Sequence, residues 1–154
     1  MIGRPPQPHS CGVVDFPMPG AQDGSIELTL PARPENISLV RHVLGAIGTC
    51  LSFDAELLED MRLAVTEACT NVVRHAYEDS HGTIELFITP EEHGLRVVVS
   101  DRGRGIGPSP DTRGPGLGLP LIAAIVDSLQ IDQVPGAGSR VTMSFTRRRH
   151  EAAA

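Results

Sequence analysis

Apolar and polar residues alternate at Ile26, Leu28 and Leu30, the period of a half-buried strand beginning near Ser25. The period then changes. Pro34 and Glu35 place a proline and an acid where a helix starts, and Ile37, Val40, Leu44, Ile47 and Leu51 follow at helical spacing. Ser52 or Asp54 is placed to cap a longer second helix. Its stripe is Leu57, Leu58, Met61, Ala64, Val65, Ala68, Val72 and Val73, and it should end near Tyr77. Two strands over residues 83–89 and 95–101 are predicted next, joined by a loop from Pro90 to Gly94. A stretch rich in glycine and proline leads into a third helix at about residues 119–129. Two closing strands, near residues 130–134 and 139–146, flank Pro135-Gly-Ala-Gly138. This order describes an α/β two-layer sandwich, with three main helices packed on one face of a mixed sheet.

The ends read differently. Residues 1–24 hold five prolines and four glycines with few apolar residues, and are expected to be an unordered tail. Residues 25–146 form the expected domain, and residues 147–154 a short basic tail. At 154 residues the chain has room for one domain with a proper core, not two.

Composition narrows the chemistry. All 13 basic residues are arginine. The absence of lysine excludes a P-loop lysine, Schiff-base chemistry and any lysine general base. Against 19 acidic residues the formal charge is −6, the wrong sign for a chain that grips phosphate backbones, so no nucleic-acid partner is expected. The longest apolar run, Leu121 to Val126, is far short of a membrane span. No apolar leader is visible at the N-terminus. Cys11, Cys50 and Cys69 have neither even number nor C-x-x-C spacing, which fits a reducing, cytoplasmic setting.

Three constellations carry candidate chemistry. Glu67, Asn71 and His75 fall at i, i+4 and i+8, on one face of the second helix. A carboxylate there can orient a proton, and a carboxamide oxygen can ligate a hard cation such as Mg²⁺. A solvated helix face is the bland alternative, and zinc through His75 is disfavoured because Asn is a poor zinc ligand. Asp101-Arg-Gly103-Arg-Gly105-Ile106-Gly closes a strand, where an aspartate can accept a hydrogen bond from an exocyclic amine. Pro108 breaks the dinucleotide fingerprint, so a plain glycine hinge is the competing reading. Gly114-Pro-Gly116-Leu117-Gly118-Leu119 precedes a helix start, where free N–H groups suit an anion. Ser139 offers a hydroxyl at the start of the last strand.

In this order and on these elements, the three resemble the GHKL ATPase superfamily and its Bergerat ATP-binding fold. Glu67 to Asn71 is similar to its N box, Asp101-x-Gly103-x-Gly105 to its first glycine box, and Gly116-Leu-Gly118-Leu to its second. Glu67-Ala-Cys-Thr-Asn71, with His75-Ala-Tyr77 beyond it, resembles the bacterial anti-sigma-factor serine kinases, as does Leu30-Pro-Ala-Arg-Pro-Glu-Asn36. The resemblance spans about residues 25–146.

The resemblance implies ATP and Mg²⁺ as cofactors, with Glu67 as general base and Asn71 as the protein's Mg²⁺ ligand. It implies that Asp101 reads the adenine amine, with Gly103 of the same box at the nucleotide, Gly105 keeping that pocket open, and Ser139 near the adenine. Residues 106–115 would be a lid over the nucleotide, beginning at Ile106, and Arg113 is its one basic residue. Gly116, Leu117, Gly118 and Leu119 would hold phosphates. The implied protein is a homodimeric serine/threonine kinase that binds a sigma factor and phosphorylates a small antagonist protein. The competing class is an anti-sigma binding module without phosphoryl transfer. Glu67 favours the enzyme, since a binder has no need of a base one turn from its metal ligand. A detached histidine-kinase domain is a third reading, weakened by the lack of a phosphoacceptor helix before residue 25.

Overall fold

The structure is a computed structural model that describes residues 24–77, 81–104, 118–134 and 137–147. Strand β1 (Ile26–Pro31) leads into helices α1 (Pro34–Cys50) and α2 (Ala55–Asn71). The hairpin β2 (Thr83–Glu91) and β3 (Gly94–Asp101) follows, and the chain ends with α3 (Gly118–Ile125), β4 (Ser128–Val134) and β5 (Gly138–Thr146). The two-layer sandwich is as expected. The sheet order is β1-β2-β3-β5-β4.

Local signals explain most boundaries. Pro34 opens α1 with Glu35 in its first turn. Between the two helix-capping options, Asp54 is the one used: its Oδ1 accepts from the Leu57 N–H at 2.8 Å, while Ser52 turns the chain at φ 57°. The first strand loop is tighter than expected. Pro90 belongs to β2, opposite Leu95, and Glu91 pairs with Gly94. Pairing with β1 stops at Ile88, so proline's missing donor falls where no neighbouring strand needs it.

Two expectations are corrected. The sheet is antiparallel in all four pairings instead of mixed. The α3 crossover does return β4 parallel in direction to β3, but β5 folds back between them and separates the pair. Helix α3 is also shorter than the apolar run suggested. Val126 N donates to Ile122 O as the last turn closes, and Asp127 N then donates to Ser144 O at 3.0 Å. The Asp127 carboxylate accepts from Thr146 N, so β5 captures the chain and β4 begins at Ser128.

The core lies between the helices and one face of the sheet. Val40 and Leu44 of α1, Met61, Val65 and Cys69 of α2 and Ile122 of α3 meet Ile84, Leu86, Val97, Val99, Val141 and Met143, all fully or nearly fully buried. Strand parity has a consequence for chemistry. Asp101 continues the inward-facing series Val97 and Val99, and Ser139 continues Val141 and Met143, so both polar residues sit on the helix side of the sheet.

Candidate nucleotide site

Helix α2 does not stop as an α-helix. Its last α-helical residue is Asn71, and Val72–Ala76 continues as a π-helical turn. Such a turn widens the helix and moves its carbonyls out of the regular ladder. His75 O accepts from Arg104 Nε at 3.0 Å, and Ala76 O accepts from Arg104 N at 2.9 Å. The end of α2 is thereby fastened to the segment that leaves β3. No sequence signal marks the π turn, because its apolar residues keep the spacing of the preceding helix.

Beside this junction lies an open cleft. Asn71 and His75 line it from the helix side, Asp101 and Ser139 from the ends of β3 and β5. Ala68 and Val72, which the helix stripe assigns to packing, and Ala76, Val99 and Val141 supply an apolar wall. For Val99 and Val141 the alternation leading to Asp101 and Ser139 was the available signal.

Asp101 is 3% exposed, and a carboxylate so buried needs hydrogen bonds. It has two. Gly103 N donates to Oδ1 at 2.9 Å, and Ser139 Oγ donates to Oδ2 at 2.5 Å. Gly103 can make this turn because it lacks a side chain: a Cβ there would stand 2.0 Å from Ala76 O.

At the other end of the cleft the first residue of α3 faces the second helix. A Cβ on Gly118 would lie 3.2 Å from Asn71 Nδ2, 3.3 Å from Asn71 Oδ1 and 3.5 Å from Glu67 Oε2. The carboxylate, the carboxamide and the N-terminus of α3 thus share one small volume. Neither Glu67 nor Asn71 has a side-chain hydrogen bond among the described residues, which leaves both heads available to a ligand.

The structure therefore brings together Glu67, Asn71, Asp101, Gly103, Gly118 and Ser139. Leu119, the residue after Gly118, is partly buried and packs against the core. Gly105, Ile106, Arg113, Gly116 and Leu117 lie outside the described residues, as does the expected lid. Among the described residues no group of three or more His, Cys, Asp or Glu is placed to hold a metal ion. Cys69 is fully buried in the core and is not among the residues lining the cleft, and burial pushes its thiol up to about 12.

Relatives share this architecture. The profile of the histidine kinase-like ATPase domain matches residues 30–145. The serine-protein kinase RsbW of Bacillus thuringiensis is 32% identical over 141 residues, covering 82% of this chain and 88% of the relative. The enzyme of the same name from Halalkalibacterium halodurans is also 32% identical, covering 82% and 86%. In fold, the chain is similar to the crystal structure of the RsbU and RsbW domains of a Mycobacterium tuberculosis protein. That match has a TM-score of 0.64 at 23% identity, over 79% of this chain and 32% of the other. The chain belongs to the histidine kinase-like ATPase family and, within it, to the serine-protein kinases of the RsbW type. It is an ATP-using protein kinase. Among the described residues no helix is long and apolar enough to cross a membrane.

Proposed function

We propose that this kinase is an anti-sigma factor that transfers the γ-phosphoryl group of ATP to a serine or threonine of a small antagonist protein. The observation that carries this reading is the two-ended cleft. One end offers a buried, doubly hydrogen-bonded carboxylate, and the other a free carboxylate and carboxamide against a helix N-terminus.

Each end has its task. Asp101 accepts from the adenine amine with the oxygen lone pairs left over from Gly103 and Ser139, and the apolar wall covers the base. The N–H groups at the start of α3 receive phosphate oxygens. Asn71 offers Mg²⁺ one hard oxygen ligand, the small share of protein ligands that this ion takes beside phosphate and water. When bound, the ion neutralises charge developing on the phosphate oxygens. Glu67 takes or orients the proton of the attacking hydroxyl, as a positioned base.

The proposal places the functional unit within residues 25–146, in a cytoplasmic homodimer whose partners are a sigma factor and the antagonist, without direct nucleic-acid contact. Incubation with Mg-ATP and the antagonist, followed by intact-mass measurement, tests it. The antagonist should gain the mass of one phosphoryl group. An antagonist bound but unmodified would favour the non-catalytic binding module instead.

A further inference from the structure

We infer that Tyr77 is a positioning residue for nucleotide recognition: its hydroxyl clamps the turn that orients Asp101. The inference rests on the reading of Asp101 as the adenine acceptor and adds the device that holds it.

Tyr77 leaves the π turn in extended conformation, with φ −125° and ψ 135°. Its ring lies flat against Gly82, where a Cβ would stand 2.1 Å from the ring carbons. The ring position fixes the hydroxyl between two strands. The hydroxyl donates to Thr83 O at 2.7 Å, at the start of β2, and accepts from Arg102 N at 3.1 Å, just past the end of β3.

Three successive amides after Asp101 are each held by a different partner. Arg102 N–H goes to the Tyr77 hydroxyl, Gly103 N–H to the Asp101 carboxylate, and Arg104 N–H to the Ala76 carbonyl. Two of these three partners belong to adjacent residues, Ala76 and Tyr77. The Arg102 side chain adds a fourth tie, Nε to Glu85 Oε1 at 3.1 Å on β2. Gly103 can hold Asp101 Oδ1 only while this turn keeps its shape. Tyr77 thus links the helix that carries Asn71 to the orientation of the carboxylate across the cleft.

Removing the hydroxyl leaves the Arg102 amide near the surface, where water can replace the lost partner. The fold should therefore survive, while the turn and the Asp101 rotamer become less fixed. Recognition suffers more than chemistry.

The test uses the full chain as wild type, Tyr77→Phe and Asp101→Asn, with Kd for ATP and GTP, kcat, thermal midpoint and amide exchange without nucleotide. Tyr77→Phe should melt near wild type, with faster exchange at Arg102 and Gly103. Its ATP Kd should rise about five- to tenfold, its ATP-over-GTP preference should shrink, and kcat at saturating ATP should stay within about twofold. If Tyr77→Phe matches wild type in Kd and in Gly103 exchange while Asp101→Asn loses ATP, the clamp is overturned and the Asp101 reading stands. If Asp101→Asn binds ATP as wild type does, both are overturned.

A second measurement avoids the folding question. Tyr77 is the chain's only tyrosine, so fluorotyrosine supplied during growth labels that position alone and keeps the hydroxyl. Its fluorine resonance should shift when ATP binds; an unmoved resonance at saturating ATP overturns the clamp.

Discussion

Ser139 and Asp101 face each other across the β3–β5 pair, and the Ser139 hydroxyl donates to Asp101 Oδ2 at 2.5 Å. Directly opposed residues on one face of a pleated pair lie within side-chain reach, so register alone brings the two together. A hydrogen bond to a buried carboxylate is charge-assisted and worth roughly 1.5–3 kcal/mol. Ser139→Ala should therefore weaken ATP binding about tenfold or more while leaving the fold intact, as calorimetry and a melting curve would show.

Asp101→Asn should lose more. The amide keeps one acceptor oxygen where the carboxylate has two, and its nitrogen, a donor, can accept from neither Gly103 N–H nor Ser139 Oγ–H. The same logic sets base choice in the wild type. Guanine places a carbonyl where adenine has its amine, and two buried acceptors opposed cost about 1–3 kcal/mol. GTP should bind roughly ten- to a hundredfold more weakly than ATP in a competition titration. Affinities within about threefold of each other would remove Asp101 from adenine recognition.

Gly118→Ala tests the other end of the cleft. The added methyl would stand 3.2 Å from the Asn71 amide, so Asn71 must give by a few tenths of an ångström. Alanine suits a helix better than glycine by roughly 0.5–1 kcal/mol, so the melting point should not fall. Phosphoryl transfer should fall by about tenfold, because misplacement at a reacting centre is costly. Unchanged turnover would mean that the N-terminus of α3 is not where the phosphates lie.

Cys69 should behave as a packing residue. Its folded pKa is raised from 9.0 to about 12 by burial, so the native state holds this proton more tightly than the unfolded chain. That sign makes its contribution fully present below pH 9 and progressively lost as pH rises towards 12. The unfolding midpoint should decline over that window, and Cys69→Ala should flatten the decline although it lowers stability throughout. Cys69→Ser should leave nucleotide binding within a few-fold. A thiol reagent should label exposed Cys50 in the native protein and reach Cys69 only on unfolding.

Much of this was legible in the chain. Pro34 and Asp54 start helices by local chemistry, and the alternation through Val97 and Val99 led to Asp101 at the strand end. What escaped was set by distant partners. Asp127 ends the α3 segment because Ser144 and Thr146 of β5 engage it, and the apolar run before it carries no trace of them. The antiparallel sheet follows from β5 inserting between β3 and β4, a choice of neighbour that periodicity does not encode. Tyr77 looked like a helix end. Its bonds to Thr83 and Arg102 lie 6 and 25 residues away.

The central claim is that Glu67 performs chemistry at a site whose recognition is carried elsewhere. The measurement that meets it most directly is single-turnover transfer from Mg-ATP to the antagonist by Glu67→Ala, alongside its Kd for Mg-ATP. The Kd should stay near wild type, since Asp101 and the α3 N-terminus are untouched. Transfer should fall by about 10²–10⁴, the usual contribution of a positioned base. Asn71→Ala, by contrast, should lose metal-dependent affinity and turnover together. A Glu67→Ala protein that phosphorylates its antagonist at near wild-type rate would contradict the mechanism.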